Sequence, residues 1–250
     1  MAAKASLMMP FMLIGLIGVV CASVYDDQFC GHATLFDAAG ASFLGGASGN
    51  GNYGANTALL DETSYKNGLM HNACFRIDCA CKPRCKSVTT NVTITGHFRP
   101  NSTFSCNNGS GNPLLQFLLQ KGTLLTIAND KVTDTPVNAR RALCGRVGGI
   151  KFTITGHDNF TRVLPENMAG AGNIKKLFIK GSGDKWQLMQ WDGDGYWRIN
   201  CSFIGESLSF RIIAGDDARL SCNTVFDAQW TPGQTNDTTG CQFNPSGTHN

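Results

Sequence analysis

The stretch GIKFTIT, residues 149–155, alternates apolar and polar side chains, so that Ile150, Phe152 and Ile154 fall on one side. A period of two is typical of a β-strand with one buried face. The stretch NVTIT, residues 91–95, alternates in the same way, with Val92 and Ile94 on one face. Both stretches therefore predict half-buried strands.

Short runs of the same kind fill the part of the chain after residue 157. They are separated by the turn sequences GSGD, DGDG and AGDD, and they read KLFIKG, KWQLMQW, YWRIN, SLSFRII and AQWTPG. This rhythm is typical of an antiparallel β-sandwich. We therefore predict an all-β protein with two domains, residues 28–157 and 158–250, with PENMAGAGNI (165–174) as a connecting segment.

The first 22 residues predict a secretory signal peptide. Lys4 precedes an apolar run from Leu7 to Val20, and Val20 and Ala22 have the small-residue spacing that signal peptidase accepts. The alternative, a membrane anchor, needs about 20 apolar residues, which is longer than this run. We expect a secreted, extracellular protein with at most peripheral membrane association.

Charge and glycosylation signals agree with that location. The 21 basic and 18 acidic residues are mixed along the chain, which argues against the clustered basic face of a nucleic-acid binder. Asn-x-Ser/Thr sequons predict N-glycosylation, although cysteine in the middle position makes Asn200 a poor acceptor. The predicted glycosylation sites are Asn91, Asn101, Asn108, Asn159 and Asn236.

Four of the eleven cysteines lie within CFRIDCACKPRC, residues 74–85. This spacing suits either a zinc site or disulfides. Export to an oxidising compartment favours disulfides, so we expect no metal.

Eight motifs, taken in order, resemble those of plant expansins, most closely the α-expansins, over about residues 28–234. They are HATLF, NYGANTALL, NGLMHNACF, ARRALCGRVGGIKFTITGH, MAGAGNI, KWQLM, GESLSFRI and WTPGQT. The resemblance implies a six-stranded double-psi β-barrel followed by a β-sandwich carbohydrate-binding domain. It also implies a protein of the plant cell wall that loosens contacts between cellulose and xyloglucan-like matrix polysaccharides without hydrolysis or a cofactor. We expect a monomer.

The resemblance also implies disulfide pairings. It pairs Cys74 with Cys144 and Cys79 with Cys85, while Ser48 and His71 occupy the positions of two cysteines that bond to each other in relatives. The cysteines without an assigned partner are Cys30, Cys81, Cys106, Cys201, Cys222 and Cys241.

The stretch NPLLQFLLQKG, residues 112–122, departs from the family. Gln116 stands where relatives have histidine, and Leu118 stands where they have the aspartate of the polysaccharide groove. If Phe117 points into the barrel, Gln116 and Leu118 point into the groove. Leucine forms no hydrogen bond, so this departure predicts little or no wall extension, with binding retained.

Three further groove positions follow from the same alignment. Thr34 matches the family threonine and is a predicted polysaccharide-binding residue. Phe36 replaces a tyrosine, and Gly96 replaces an asparagine or aspartate.

A hydrolase or lytic transglycosylase on the same barrel is a third interpretation, beside a loosening expansin and a degenerate one that only binds. An inverting glycosidase needs two carboxylates, and both expected positions lack one. Asp37 is the nearby acid, which we interpret as a surface turn residue. We expect His32, His71 and His97 to lie at the surface, and we assign no catalytic residue.

Aromatic residues of the second domain predict a sugar-binding surface, because flat rings stack on the apolar faces of sugars. Alternation predicts that Trp186 and Trp197 are buried and that Trp191 and Tyr196 are exposed beside the DGDG turn. We therefore expect Trp191 and Tyr196 to bind polysaccharide, and Trp230 to belong to the core.

Overall fold

The computed structural model describes residues 28–36, 42–43, 56–80, 84–100, 114–183 and 185–245. Within these residues the chain forms sixteen strands and two short helices. The first seven strands share one sheet, and the last nine form two further sheets. The predicted all-β class is confirmed.

The first sheet closes into a six-stranded double-psi barrel. Its strand order is β5-β3-β6-β1-β7-β4, a β4–β5 pairing closes it, and β2 adds to the edge of β5. The β1–β6 and β3–β5 pairs are parallel and the other pairs are antiparallel. The elements are β1 Gln28–Leu35, β2 Ser42–Phe43, β3 Thr57–Asp61, α1 Glu62–Tyr65, β4 Cys74–Cys79, β5 Thr89–Arg99, β6 Leu115–Leu119, α2 Lys121–Ile127 and β7 Asp134–Ala142.

Alternation within the barrel strands fills the barrel with apolar side chains. Phe117 of β6 is fully buried and packs edge-to-face on Phe75 of β4, with ring centroids 5.6 Å apart. Leu60, Ile77 and Ile94 complete the same core. Phe117 thus points inward, which is the condition on which the expected directions of Gln116 and Leu118 depend.

The second domain is an antiparallel β-sandwich. Its five-stranded sheet has the order β12-β13-β9-β8-β16, and its four-stranded sheet has the order β11-β10-β14-β15. Phe152 and Phe210 face each other between the sheets with stacked rings 4.6 Å apart. The strands are β8 Lys151–His157, β9 Phe160–Glu166, β10 Ile174–Lys180, β11 Gln187–Leu188, β12 Gln190–Trp191, β13 Trp197–Ile199, β14 Leu208–Ala214, β15 Arg219–Phe226 and β16 Thr235–Asp237.

The predicted domain boundary near residue 157 is wrong by one strand. β8 pairs with β9 and β16, and Ile150, Phe152 and Ile154 are fully buried in the sandwich core. The barrel ends with β7, so the boundary lies between residues 142 and 150. Alternation identifies a strand but not its partners, and both partners of β8 follow it in the chain.

The cysteines form disulfides. The structure contains Cys74–Cys144, Cys79–Cys85 and Cys222–Cys241, and Cys30 is also disulfide-bonded. Cys201 is a free, half-buried thiol. Cys81 and Cys106 lie outside the described residues.

The predicted connecting segment, residues 165–174, joins the domains by direct contact. Cys144 and Gly170 exchange backbone hydrogen bonds of 2.7 and 3.2 Å. The Asn173 amide donates to the Leu69 carbonyl at 2.7 Å, and Arg141 of β7 donates to the Asn173 side-chain oxygen at 2.7 Å. Two barrel residues, and Cys144, which is disulfide-bonded to the barrel strand β4, are therefore tied to one short run of the sandwich domain.

A second contact between the domains, which we call the seam, consists of Tyr65, Gly68, His71, Trp191 and Gly195. The His71 ring lies 5.4 Å from the Trp191 ring, and its Nδ1 shares a 2.9 Å hydrogen bond with the Tyr65 hydroxyl. A Cβ on Gly68 would overlap the indole of Trp191, and one on Gly195 would meet His71 Nε2, so only glycine fits at both positions. The expectation that His71 lies at the surface is wrong.

His97 and His32 are also less exposed than expected. His97 is half-buried and stacks on Tyr65 with ring centroids 4.7 Å apart, and His32 is buried on β1.

The predicted signal peptide lies outside the described residues, as do Asp37 and Ser48. In the described parts of the chain, no helix has the length and apolar composition that would let it cross a membrane.

A fragment of residues 146–250 is expected to fold, whereas one of residues 158–250 is expected not to. The shorter fragment loses three fully buried side chains, worth roughly 5 to 9 kcal/mol together. That loss is comparable to the whole stability of a small domain, about 5 to 15 kcal/mol. Circular dichroism melting of both fragments tests this, and a cooperative transition in the 158–250 fragment would contradict the boundary.

The stability of the protein is expected to fall as pH drops from 6.5 to 4. Burial lowers the pKa of His71 from 6.5 to about 4. As the pH falls, His71 is therefore protonated in the unfolded chain before it is protonated in the folded protein. The contribution of the neutral His71 to the free energy of unfolding is thus fully present only above pH 6.5. The shift corresponds to about 3 kcal/mol. Urea unfolding across this pH range should show a flatter profile for His71→Gln. The matched change at the exposed His157, His157→Gln, should leave the profile unaltered; equal flattening in both variants would refute the assignment.

Candidate functional site

A row of five residues crosses the outer face of the barrel, and we call it the outer row. Register places Gly96 beside Leu59, Leu59 beside Leu118, Leu118 beside Thr34, and Thr34 beside Asp134. Neighbours in register point to the same side of a sheet. The outer row therefore runs from an apolar end at β5 and β3 to a polar end at β1 and β7.

Leu118 does not face an open groove, contrary to the expectation. It is 4% exposed and packs with Leu59 and Phe98 in a small apolar cluster outside the barrel core. Gln116, two residues earlier, is half-buried, and its backbone N–H donates to the Asp61 carboxylate at 3.1 Å. Apolar side chains on an outer face reduce their contact with water by packing together. This end of the outer row offers no hydrogen-bonding side chain.

The polar end of the outer row carries an acid that the sequence analysis missed. The Asp134 carboxylate is half-exposed and lies 3.6 Å from His32 Nε2. Thr34, on the same strand as His32, is half-buried. Burial lowers the pKa of His32, and the Asp134 charge opposes that shift. The alternation in DTPVNA could have identified Asp134, because Val137 points inward and residue 134 therefore outward.

Asp61 is a second acid near this face, but its oxygens are occupied. It is 3% exposed, caps helix α1 by accepting from the Ser64 N–H at 2.9 Å, and accepts from Gln116. A carboxylate committed to backbone donors in this way holds the fold and is poorly placed to contact a ligand.

Trp191 and Tyr196 are half-buried and do not form the exposed pair that alternation predicts. Trp191 points toward the sandwich core, 5.8 Å from Trp197, and its other contacts belong to the seam. One face of Tyr196 is covered by the Arg162 guanidinium at 3.9 Å.

Trp191 nevertheless lines an open cleft of about 350 Å³ between the two sandwich sheets. Amide, carboxylate and guanidinium groups surround it. The polar lining residues are Gln187, Gln190, Asp192, Arg198 and Asn200. The cleft thus joins an aromatic ring to several hydrogen-bonding groups.

The outer face of the five-stranded sheet continues from this cleft. Register aligns Gln190, Arg198, Arg162 and Thr155 across four strands. Arg198 lies 4.6 Å over the Phe160 ring, and Arg162 forms a 2.8 Å ion pair with Asp192. Sequence reasoning missed both arginines, although period two in FTRVLPE and WRI places them on the solvent side.

The other tryptophans divide differently from the prediction. Trp197 and Trp230 are buried, as predicted, whereas Trp186 is half-buried and lies outside the core cluster. The reason is that the chain crosses from the four-stranded to the five-stranded sheet at the buried Met189. Alternation does not continue through such a crossing, so Trp186 and Trp191 cannot be assigned from one pattern.

The predicted glycosylation sites differ in exposure. Asn91 and Asn159 are exposed, while Asn101 and Asn108 lie outside the described residues. The Asn236 Nδ2, which would carry a glycan, donates to the Val225 carbonyl at 2.7 Å. The side-chain amide of Asn236 is therefore occupied within the folded sandwich.

Within the described residues, no three His, Cys, Asp or Glu side chains are grouped so that they could hold a metal ion.

Comparison with known proteins identifies the family. The expansin C-terminal domain family matches residues 150–226, which agrees with a sandwich that includes β8. Expansin-A25 of Arabidopsis thaliana is 32% identical over 222 residues, which cover 86% of this chain and 79% of the relative. Expansin-A7 of the same plant is 31% identical over 214 residues, covering 82% of each chain.

Solved structures show the same fold at low identity. The crystal structure of the apo expansin of Clavibacter michiganensis has a TM-score of 0.63 at 13% identity and covers 88% of this chain and 99% of its own. A mutant of that protein in complex with cellohexaose has a TM-score of 0.64 with the same coverage. By its matched domain and its identity to two α-expansins over most of both chains, this chain belongs to the expansin family.

Proposed function

We propose that this protein is secreted to the plant cell wall, where it binds wall polysaccharides and loosens contacts between cellulose and matrix glycans without hydrolysis. The observation that carries the proposal is the open cleft beside Trp191, which combines an indole with amide and guanidinium groups. The indole can stack on the apolar ring face of a sugar, and the amide and guanidinium groups can hydrogen-bond the hydroxyl groups at its edge. The bacterial expansin complex with cellohexaose supports a glucan as ligand.

The sheet beside the cleft provides a binding track. Neighbouring strands lie about 4.8 Å apart, so Gln190, Arg198, Arg162 and Thr155 cover about 14 Å in a line. A polysaccharide that crosses these four strands meets a hydrogen-bonding side chain at each of them. The planar pairs Arg162–Tyr196 and Arg198–Phe160 hold the two guanidinium groups in place.

The outer row supports contact with a glycan and not its hydrolysis. An inverting glycosidase places two carboxylates about 6.5 to 9.5 Å apart across the bond. The outer row contains one acid, Asp134, and has the apolar Leu118 instead of a second one. The nearby Asp61 is buried, and its carboxylate caps helix α1. Thr34 and Asp134 can hydrogen-bond sugar hydroxyls, which is what disruption of polysaccharide contacts needs.

A second candidate function is wall binding without loosening. The apolar cluster of Leu59, Phe98 and Leu118 favours it, because three of the five residues of the outer row have no side chain that can hydrogen-bond a glycan. The two candidates share the sandwich cleft and differ in whether the polar end of the outer row is sufficient.

Binding to insoluble cellulose is expected to weaken when the track is removed. The double change Arg198→Ala and Tyr196→Ala removes a guanidinium group and an aromatic ring and should lower affinity by about tenfold. Pull-down isotherms on cellulose measure the effect, with circular dichroism to verify the fold. The control is Arg219→Ala, an exposed arginine on the other sheet. Unchanged cellulose binding in a folded double variant would show that the track is not the binding site.

Extension of heat-inactivated wall strips under load separates the two candidates. If the polar end of the outer row is sufficient, the unmodified protein extends the strips and Asp134→Asn lowers the rate by about tenfold, because a hydrogen bond to a charged group is worth about 1.5 to 3 kcal/mol. The control Asp130→Asn changes an exposed acid elsewhere on the barrel and should have no effect. Cellulose binding without any extension would establish the second candidate instead.

A further inference from the structure

The hairpin between β8 and β9 carries a glycosylation sequon at its tip. Asp158 and Asn159 form the two-residue turn, and register pairs His157 with Phe160 on either side of it. Both turn residues are exposed. The Asn159 side-chain amide forms no hydrogen bond within the described residues, whereas the Asn236 amide donates to a backbone carbonyl. Of these two sequons, Asn159 is the one whose amide is available to carry a glycan in the folded sandwich.

This hairpin tip adjoins the track. Phe160 lies one level beyond Arg162 on the same side of β9, and two residues along a strand span about 7 Å. The Phe160 ring lies under the Arg198 guanidinium, which belongs to the track, at 4.6 Å. Asn159 directly precedes Phe160 in the chain. A group attached to Asn159 is therefore anchored beside the end of the track that Phe160 supports.

The threonine of this sequon is buried in the folded protein. Thr161 is fully buried, and its hydroxyl donates to the Cys201 carbonyl at 3.1 Å. Recognition of a sequon needs access to its hydroxyl residue as well as to its asparagine, so the glycan must be attached before the sandwich folds. Folding then fixes the attachment point, because β9 lies between β8 and β13 in the five-stranded sheet.

The sugar for this modification comes from a lipid-linked oligosaccharide. The bond between C1 of the first sugar and the lipid diphosphate breaks, and its electron pair stays on the diphosphate. A bond forms between that C1 and Asn159 Nδ2, and the amide loses one proton. The modified amide is neutral, so the hairpin gains bulk and hydroxyl groups without a change in charge.

We propose that an N-linked glycan on Asn159 covers the Phe160 end of the track and limits the affinity of the protein for cellulose. The inference rests on the proposed function, because the track is the proposed binding surface. The sugars of the glycan offer Arg198 and Phe160 the same ring faces and hydroxyl groups that a wall glucan offers. A ligand on a short tether acts at an effective concentration in the millimolar range. The glycan is thus a competitor attached to the protein itself.

Removal of the glycan is expected to strengthen cellulose binding. The protein secreted from plant cells should carry a glycan on tryptic peptide 152–162, which contains no other sequon, and mass spectrometry measures its occupancy. Asn159→Gln should then bind cellulose about two- to fivefold more tightly in pull-down isotherms, because a tethered competitor near its own dissociation constant halves the apparent affinity and also obstructs the track. Enzymatic trimming of the native protein to single N-acetylglucosamine residues should produce the same gain.

The matched control is Asn91→Gln, which removes an exposed sequon asparagine from the barrel strand β5 and should leave cellulose binding unaltered. Trimming should likewise leave the affinity of the Asn159→Gln variant unchanged. The proposal is overturned by an unoccupied Asn159 in the secreted protein, by an unaltered affinity of Asn159→Gln, or by an equal gain in Asn91→Gln or in the trimmed Asn159→Gln variant.

The double variant Arg198→Ala and Tyr196→Ala separates this proposal from the proposed function. Adding Asn159→Gln to it should bring no gain, because the glycan then has no track to cover; an equal gain in both backgrounds contradicts the proposal. If the double variant binds cellulose weakly while Asn159→Gln changes nothing, the track stands and the glycan proposal alone fails. If the double variant binds cellulose normally, the track is not the binding site and both fail.

Discussion

The close packing of the two domains at the seam is the constraint on which the arrangement of the binding surfaces depends. Trp191 fills the space left by the missing side chain of Gly68, and His71 does the same at Gly195. Because Trp191 also lines the cleft, the residue that fixes the barrel against the sandwich is part of the surface that we propose as the glycan-binding site. Domain packing and ligand geometry are therefore coupled through one side chain.

The outer row distributes its hydrogen-bonding groups unevenly. Thr34 of β1 lies between Leu118 of β6 and Asp134 of β7. The apolar side is sealed by Leu59 and Phe98. Hydrogen-bonding capacity on this face therefore lies toward β7, where an unburied carboxylate remains.

Much of the architecture could be predicted from local pattern, because period two reports the burial of a strand directly. Ile150, Phe152 and Ile154 are buried as the opening stretch indicates. The predictions that failed concern contacts between residues that are far apart in the sequence. The partners of β8 come after it, the crossing at Met189 reverses the side on which Trp186 falls, and His71 is buried by residues more than a hundred positions away. The positive charge of the four-stranded sheet is likewise not apparent from the order of residues in the chain, since its cations come from three strands, β10, β14 and β15, that are separated by turns containing acids.

The four-stranded sheet ends in edge strands, and an open edge can recruit the edge of another molecule. In this protein β15, one of those edges, carries Arg219, and the adjoining strands carry only positive charge. Two copies that approach through this edge bring like charges together, which costs free energy. The positive charge of these strands therefore opposes edge-to-edge pairing of two copies, as charged side chains commonly do on exposed edge strands.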